Sequence, residues 1–154
     1  MKTILIQIIA SFFGVIGFSI IYNIHGKKLY LIGLGGSICW AVYCILFWFL
    51  QDKVVSCLGA TLVVAAFAEL LARIIKTPVI LLLVPMVLPL VPGSDLYYMM
   101  LHFVRNDTAA GGKIGYLLLG EAGAIVLGII IVTSLTQTFL QTMKYLKRKT
   151  LRKI

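Results

Sequence analysis

Val79-Ile80-Leu81-Leu82-Leu83-Val84-Pro85-Met86-Val87-Leu88-Pro89-Leu90-Val91-Pro92-Gly93-Ser94-Asp95 is the stretch on which the reading of this chain turns. It is apolar enough to sit in a lipid core, yet three prolines fall in eight positions and a glycine follows the last of them. A proline has no N–H to donate and clashes with the carbonyl four residues back, so a helix through this run would leave acceptors free on Leu81, Pro85 and Leu88. Irregular backbone at membrane depth is tolerated only where protein or a water-filled cavity satisfies it. Beyond the break the helix can restart, with Ser94 as the N-cap and Asp95 in the first turn, where the helix dipole favours a negative charge. Two readings fit the pattern. One is a discontinuous helix that presents polar backbone to a substrate, as in secondary transporters. The other is a kinked packing helix that ends at the membrane surface.

Working outward, the rest of the 154 residues is equally apolar. Apolar side chains make up 61% of the chain and charged ones 12%, with a mean hydropathy of +1.06, which argues against a water-soluble fold. A bilayer core asks for about 20 helical residues. Ile4–Tyr22, Leu29–Leu50, Val54–Ile75, Val79–Val104 and Ile114–Leu135 each meet that length, the fourth with an interruption around Pro92 to Asp95. No run alternates with period two, which argues against a membrane barrel. The expected fold is therefore an all-α integral membrane protein, a single transmembrane domain over 1–154 with about five helices. The first run has a thin basic start and no small-residue cleavage site, so it reads as a retained helix rather than a secretory signal.

The surplus of basic residues, a net charge of +9, would suggest nucleic acid in a soluble protein. Here those residues flank apolar runs and report topology instead. The tail over 142–154, with Lys144, Lys147, Arg148, Lys149, Arg152 and Lys153, is expected in the cytoplasm. Five crossings then place the N-terminus outside and Lys27, Lys28, Arg73 and Lys76 inside. Only Lys2, Lys53, Arg105 and Lys113 remain outside. The expected location is the cytoplasmic (inner) membrane, with the lipid bilayer as a partner; the tail reads as a plain positive-inside anchor, with contact to anionic lipid as the alternative.

Small residues let helices approach closely in lipid. They recur at Gly120, Ala124 and Gly128, at Gly33, Ser37 and Ala41, at Ala65, Ala68 and Ala72, and at Ala10 and Gly14. These faces serve either the bundle or a homo-oligomer. Cys39, Cys44 and Cys57 lack metal-ligand spacing and read as packing residues.

The run Glu69-Leu-Leu-Ala-Arg73, then Lys76-x-Pro78, then Pro85-x-x-x-Pro89-Leu-Val-Pro92-Gly93, then Tyr97 and Met100, resembles the smaller membrane module of the threonine/serine exporter family. The turn at Tyr22-Asn23-Ile24 fits the same pattern, although His25 stands where relatives often have proline. The likeness runs from about Asn23 to Asp107. It implies a secondary transporter subunit that exports small hydroxy-amino acids, acting with a larger helical membrane subunit and needing no cofactor. Some relatives carry a dicarboxylate instead, and a non-transporting scaffold subunit is a further alternative.

A charge at bilayer depth asks for a partner or a role. Glu69 and Arg73 are four apart in the order that favours a same-face ion pair. Glu69 is either half of a structural pair or a proton carrier and ligand for a substrate ammonium. Glu121 lies about 10 Å into the last span at 1.5 Å per residue, with no basic neighbour within a turn of its own helix. It is expected either to exchange protons or to bond to another helix. Asp95, Met99 and His102 share one face of the restarted half-helix, and His102 is a proton relay or an interfacial residue. The expected substrate site is Pro85, Pro89, Pro92, Gly93, Ser94 and Asp95. The proton-coupling or ion-pair set is Glu69, Arg73, Glu121 and His102. A hydrolase built on Ser94 and His102 fails on distance, since eight residues of helix separate them by about 12 Å. No phosphate-binding glycine loop or metal cluster is present in the sequence, so no enzymatic activity is expected.

Overall fold

A computed structural model describes residues 2–151, with side chains over 3–142. Six α-helices follow one another: α1 (Lys2–Ile21), α2 (Lys27–Leu50), α3 (Lys53–Ile75), α4 (Val79–Val87), α5 (Gly93–Val104) and α6 (Thr108–Leu151), with a 3-10 turn at Leu88–Leu90 after α4. No strand occurs among the described residues. The chain is an all-α membrane protein. α1, α2, α3 and α6 are each long and apolar enough to cross a bilayer, and α4 with α5 makes a fifth candidate, a pair bent by 54°.

The connections are tight because the residues that close the helices adopt the left-handed region. Gln51 and Lys76 close α2 and α3 at φ of 53° and 54°, each N–H reaching back to a carbonyl four residues earlier. Asp52 starts α3: its Oδ1 accepts from the N–H groups of Val54 and Val55 at 2.8 and 3.1 Å. The expected loop over 105–113 is shorter than the sequence suggested. Asp107 accepts from the N–H of Ala110 at 3.1 Å, so α6 begins at Thr108 and takes Lys113 into the helix. At 44 residues α6 is about 66 Å long, roughly twice a bilayer core. It runs on into the basic tail, whose side chains from Lys144 onward lie outside the described residues.

Helices α1, α2, α3 and α4 share one core of Val15, Ile32, Cys39, Val64, Ala68, Leu82 and Met86. Three of the four small-residue stripes work as expected. Gly33 meets Phe12 and Ile16 of α1, and the Ser37 hydroxyl donates to the Ile8 carbonyl at 3.3 Å. Ala65, Ala68 and Ala72 are buried. Gly120 faces Val54, Gly128 faces Thr61, and Ala124 between them is buried, so α6 lies along α3 in the same direction. The fourth stripe differs. Ala10 and Gly14 are exposed, and α1 docks instead through Val15, which fills the space left by Gly36, and buried Ser19. Val15 and Ser19 lie on a neighbouring strip of the same helix, and Gly36 supplies the hollow that a small residue on α1 was expected to supply.

Candidate functional site

The fourth span breaks at Val91–Pro92, at the edge of the interruption expected around Pro92 to Asp95. α4 continues through Pro85, and the helix tightens only at Leu88–Leu90. That tightening recovers two of the three carbonyls expected to be free. The Leu88 N–H donates to the Pro85 carbonyl and the Val91 N–H to the Leu88 carbonyl, three residues apart rather than four. The real discontinuity is Val91–Pro92, where the backbone turns extended before α5 starts at Gly93. Ser94 is not the cap. Pro92 occupies that position without a side-chain bond, and the Ser94 hydroxyl leans toward Asp95 Oδ1 at 3.4 Å. Asp95 does fall in the first turn, as expected.

Beside this break is a cavity of about 110 Å³. Its walls come from four elements: Trp40 and Tyr43 of α2, Lys53 and Cys57 of α3, the segment Pro89–Asp95, and Glu121 of α6. Of the expected substrate residues, Pro89, Pro92, Gly93, Ser94 and Asp95 line it, and Pro85 does not. Glu121 joins them although 26 positions later in the chain, because α6 lies against α3 at Gly120 and Val54.

The charges are arranged asymmetrically. Lys53 Nζ donates to Asp95 Oδ2 at 2.7 Å, tying the first turn of α3 to the first turn of α5. Asp95 and Glu121 are buried carboxyls on the wall of the same cavity, and Lys53 is bonded to the first of them. The cavity thus holds one ammonium and two carboxyls. Its aromatic wall is ordered by stacking, Trp40 on Tyr43 at 5.2 Å and Tyr43 on Phe47 at 6.0 Å. The Trp40 indole N–H is buried and has no hydrogen-bond partner among the described residues. No cluster of three metal-ligating side chains is found among them either.

The other expected residues lie elsewhere. Glu69 is buried near the opposite end of α3, 16 positions or about 24 Å from Lys53, with its Oε2 accepting from Arg73 Nη2 at 3.2 Å. Arg73 Nε also donates to the Glu69 carbonyl at 3.3 Å. His102 Nδ1 lies 3.2 Å from Asp107 Oδ2 at the exposed turn between α5 and α6. Met99, one turn nearer the cavity on α5, packs against Gly115.

Sequence reasoning missed Lys53, Trp40, Tyr43 and Cys57. Lys53 carried a findable signal: a carboxylate placed in an apolar run needs a cation, and the loop charges left only four at that end of the bundle.

A family model described as "Threonine/Serine exporter, ThrE" matches residues 7–135, which includes every residue of the cavity wall. The chain belongs to the threonine/serine exporter family. No curated protein and no solved structure matches it. Membership makes this a multi-pass membrane protein of a transporter family that handles small molecules. It extends the likeness seen between Asn23 and Asp107 over the first and last helices as well.

Proposed function

We propose that this chain is the smaller membrane subunit of an exporter of small hydroxy-amino acids, and that the cavity beside the Val91–Pro92 break takes the transported molecule. One observation carries the reading: a polar cavity with a cation and two carboxyls, built onto a helix break inside an otherwise apolar bundle. Charges in such a setting are costly, and an ion pathway or substrate contact is the usual reason for keeping them. A volume of 110 Å³ admits only a few heavy atoms, which suits serine or threonine. The charge set suits a zwitterion as well, with the carboxylate toward Lys53 and the ammonium toward Asp95 and Glu121. A dicarboxylate would bring two more negative charges to a site that already has two.

Proton coupling, in this reading, runs through Glu121 rather than Glu69. Glu121 faces the cavity and shares it with Asp95, whereas Glu69 is held by Arg73. The N-terminus lies outside and the basic tail in the cytoplasm, so the cavity opens toward the outer half of the cytoplasmic membrane. A larger subunit of the same family completes the pathway.

The test is reconstitution in proteoliposomes, with and without that larger subunit, across serine, threonine and succinate under an imposed pH gradient. Serine or threonine movement that requires both subunits supports the proposal. Glu121→Gln is expected to abolish accumulation driven by pH alone, and Glu69→Gln to leave it standing. Succinate as the sole cargo, or full coupling in Glu121→Gln, refutes it.

A further inference from the structure

The end of the bundle opposite the Asp95 cavity is charged one way. Lys27 and Lys28 open α2, and Arg73 and Lys76 close α3. Up to Ser94 the chain offers only two acidic residues, Asp52 at the far end of α3 and Glu69, which Arg73 holds. A pocket of about 180 Å³ lies here between the α1–α2 turn and the α3–α4 turn. Its lining is polar at Asn23, His25, Lys28 and Thr77, and apolar at Leu81 and Leu82. The His25 ring is fixed by its Nδ1–H, which donates to the Asn23 carbonyl at 2.9 Å. Lys28 is half-buried and has no ion pair among the described residues. No acidic side chain among them lines the pocket, and neither α2 nor α4 has one in its first turn.

An apolar cleft of about 340 Å³ adjoins this pocket. Its wall is Ile80, Val84, Val87 and Val91, one face of α4 and the turn after it, flanked by Phe18 of α1 and Ile129 of α6. Phe18 in the cleft lies against Tyr22 in the pocket, ring centroids 4.9 Å apart, and Ile80 of the cleft precedes Leu81 of the pocket. Val91 comes 11 positions after Ile80, which makes the cleft about 16 Å long at 1.5 Å per residue. That is about half of a bilayer core, the depth of one leaflet.

We propose that the pocket and the cleft together hold one anionic glycerophospholipid. Its phosphate sits against Lys28 and His25, and one of its acyl chains lies in the cleft along α4. Basic pockets between membrane helices suit such headgroups. A soluble phosphate would use the cations and leave the cleft empty, so the occupant is a lipid. Lys27 and Lys76 stand beside the pocket and disfavour a headgroup that ends in a cation, such as choline. The assignment does not depend on what the Asp95 cavity carries, and it holds for either leaflet.

The experiment titrates the full chain, in a neutral detergent, with phosphatidylglycerol or with phosphatidylcholine of the same acyl chains. Native mass spectrometry counts the lipid retained. One phosphatidylglycerol should bind about tenfold more tightly than phosphatidylcholine, the scale of one hydrogen bond to a charged group. Lys28→Gln should remove most of that preference and Lys28→Arg keep it. His25→Ala, at an exposed turn, should contract it in the same direction and reads the headgroup contact independently. Lys113→Gln, at the other end of the bundle, should change nothing. Ile80→Trp fills the cleft from an exposed position and should weaken both lipids alike. Inorganic phosphate and glycerophosphoglycerol, which lack acyl chains, should compete weakly. Equal binding of the two lipids overturns the inference. So does an equal loss in Lys113→Gln, which would mean diffuse surface charge. Strong competition by inorganic phosphate with no effect of Ile80→Trp would make this a soluble-anion site, and it overturns the lipid assignment too.

Discussion

Removing the charge of Lys53 should destabilise the bundle more than removing that of Asp95, although the two form one ion pair. Two unit charges about 4 Å apart attract by about 4 kcal/mol at an effective dielectric of 20. Two terms reduce that figure. The lysine side chain is 37% exposed and screened by solvent, and Asp95, at 12%, loses most of its hydration on burial. A net coupling of about 1–2 kcal/mol remains. The single substitutions are unequal because their leftovers are unequal. Lys53→Met strands Asp95 in the cavity it shares with Glu121, two buried carboxyls without the lysine between α3 and α5, and should cost about 2–3 kcal/mol. Asp95→Asn leaves a lysine whose long stem can carry its ammonium to the interface, and should cost about 1 kcal/mol. The double variant should cost less than the sum by the coupling energy. Unfolding in mixed micelles, followed by circular dichroism, closes this cycle. Additivity within about 0.5 kcal/mol, or a larger loss from Asp95→Asn than from Lys53→Met, would refute the reasoning.

Gly36→Leu should destabilise the α1–α2 contact by about 1–3 kcal/mol, since even a Cβ there would come within 2.5 Å of Val15, whereas Gly14→Leu should be tolerated because nothing lies within 4 Å of that position. The same unfolding assay ranks the two. Asp52→Ala removes the acceptor for two N–H groups at the start of α3 and should lower stability by about 1 kcal/mol, with Asp52→Asn recovering most of it. Cysteines placed at Lys53 and Lys76, after replacement of Cys39, Cys44 and Cys57, should label from opposite sides of the membrane. Labelling of both from one side would reverse the assignment of inside and outside.

The spans were legible because lipid imposes one strong requirement, an apolar length near 20 residues, and α1, α2 and α3 match the expected runs within two residues at either end. α6 was not, at its start, because Thr108–Lys113 is too polar to register as membrane-spanning while still being a sound helix opened by Asp107. The prolines marked the break, which falls at the last of them, but not the course of the helix before it. A lost N–H at Pro85 is absorbed by the next turn, and only Pro92, followed by glycine, stops the helix. Asp95 and Glu121 stood out as carboxyls in apolar runs. Their meeting, and the capture of Lys53, depend on how α3, α5 and α6 pack, which no local pattern encodes. Trp40 was invisible for a different reason: a tryptophan in a membrane helix needs no special account until its N–H is seen to lack a partner among the described residues.

The small residues of α6 then have a second use beyond close packing. Gly120 against Val54 and Gly128 against Thr61 fix the register of α6 on α3 at two points two turns apart, and Glu121 follows Gly120 directly. A side chain at either glycine would push the helices apart, since a Cβ at Gly128 would meet Thr61 at 2.9 Å and one at Gly120 would meet Val54 at 3.0 Å. Sliding α6 by one turn would carry Glu121 about 5.4 Å along the axis, away from the cavity wall it shares with Asp95 and Lys53. The stripe that looks like ordinary membrane packing is thus what holds one carboxyl of the cavity opposite the other. The break in the fourth span supplies the remaining condition. By ending the helix at Leu90 and restarting it at Gly93 on a different axis, it turns Asp95 toward the start of α3, where a continuous helix would have carried the chain straight past Lys53.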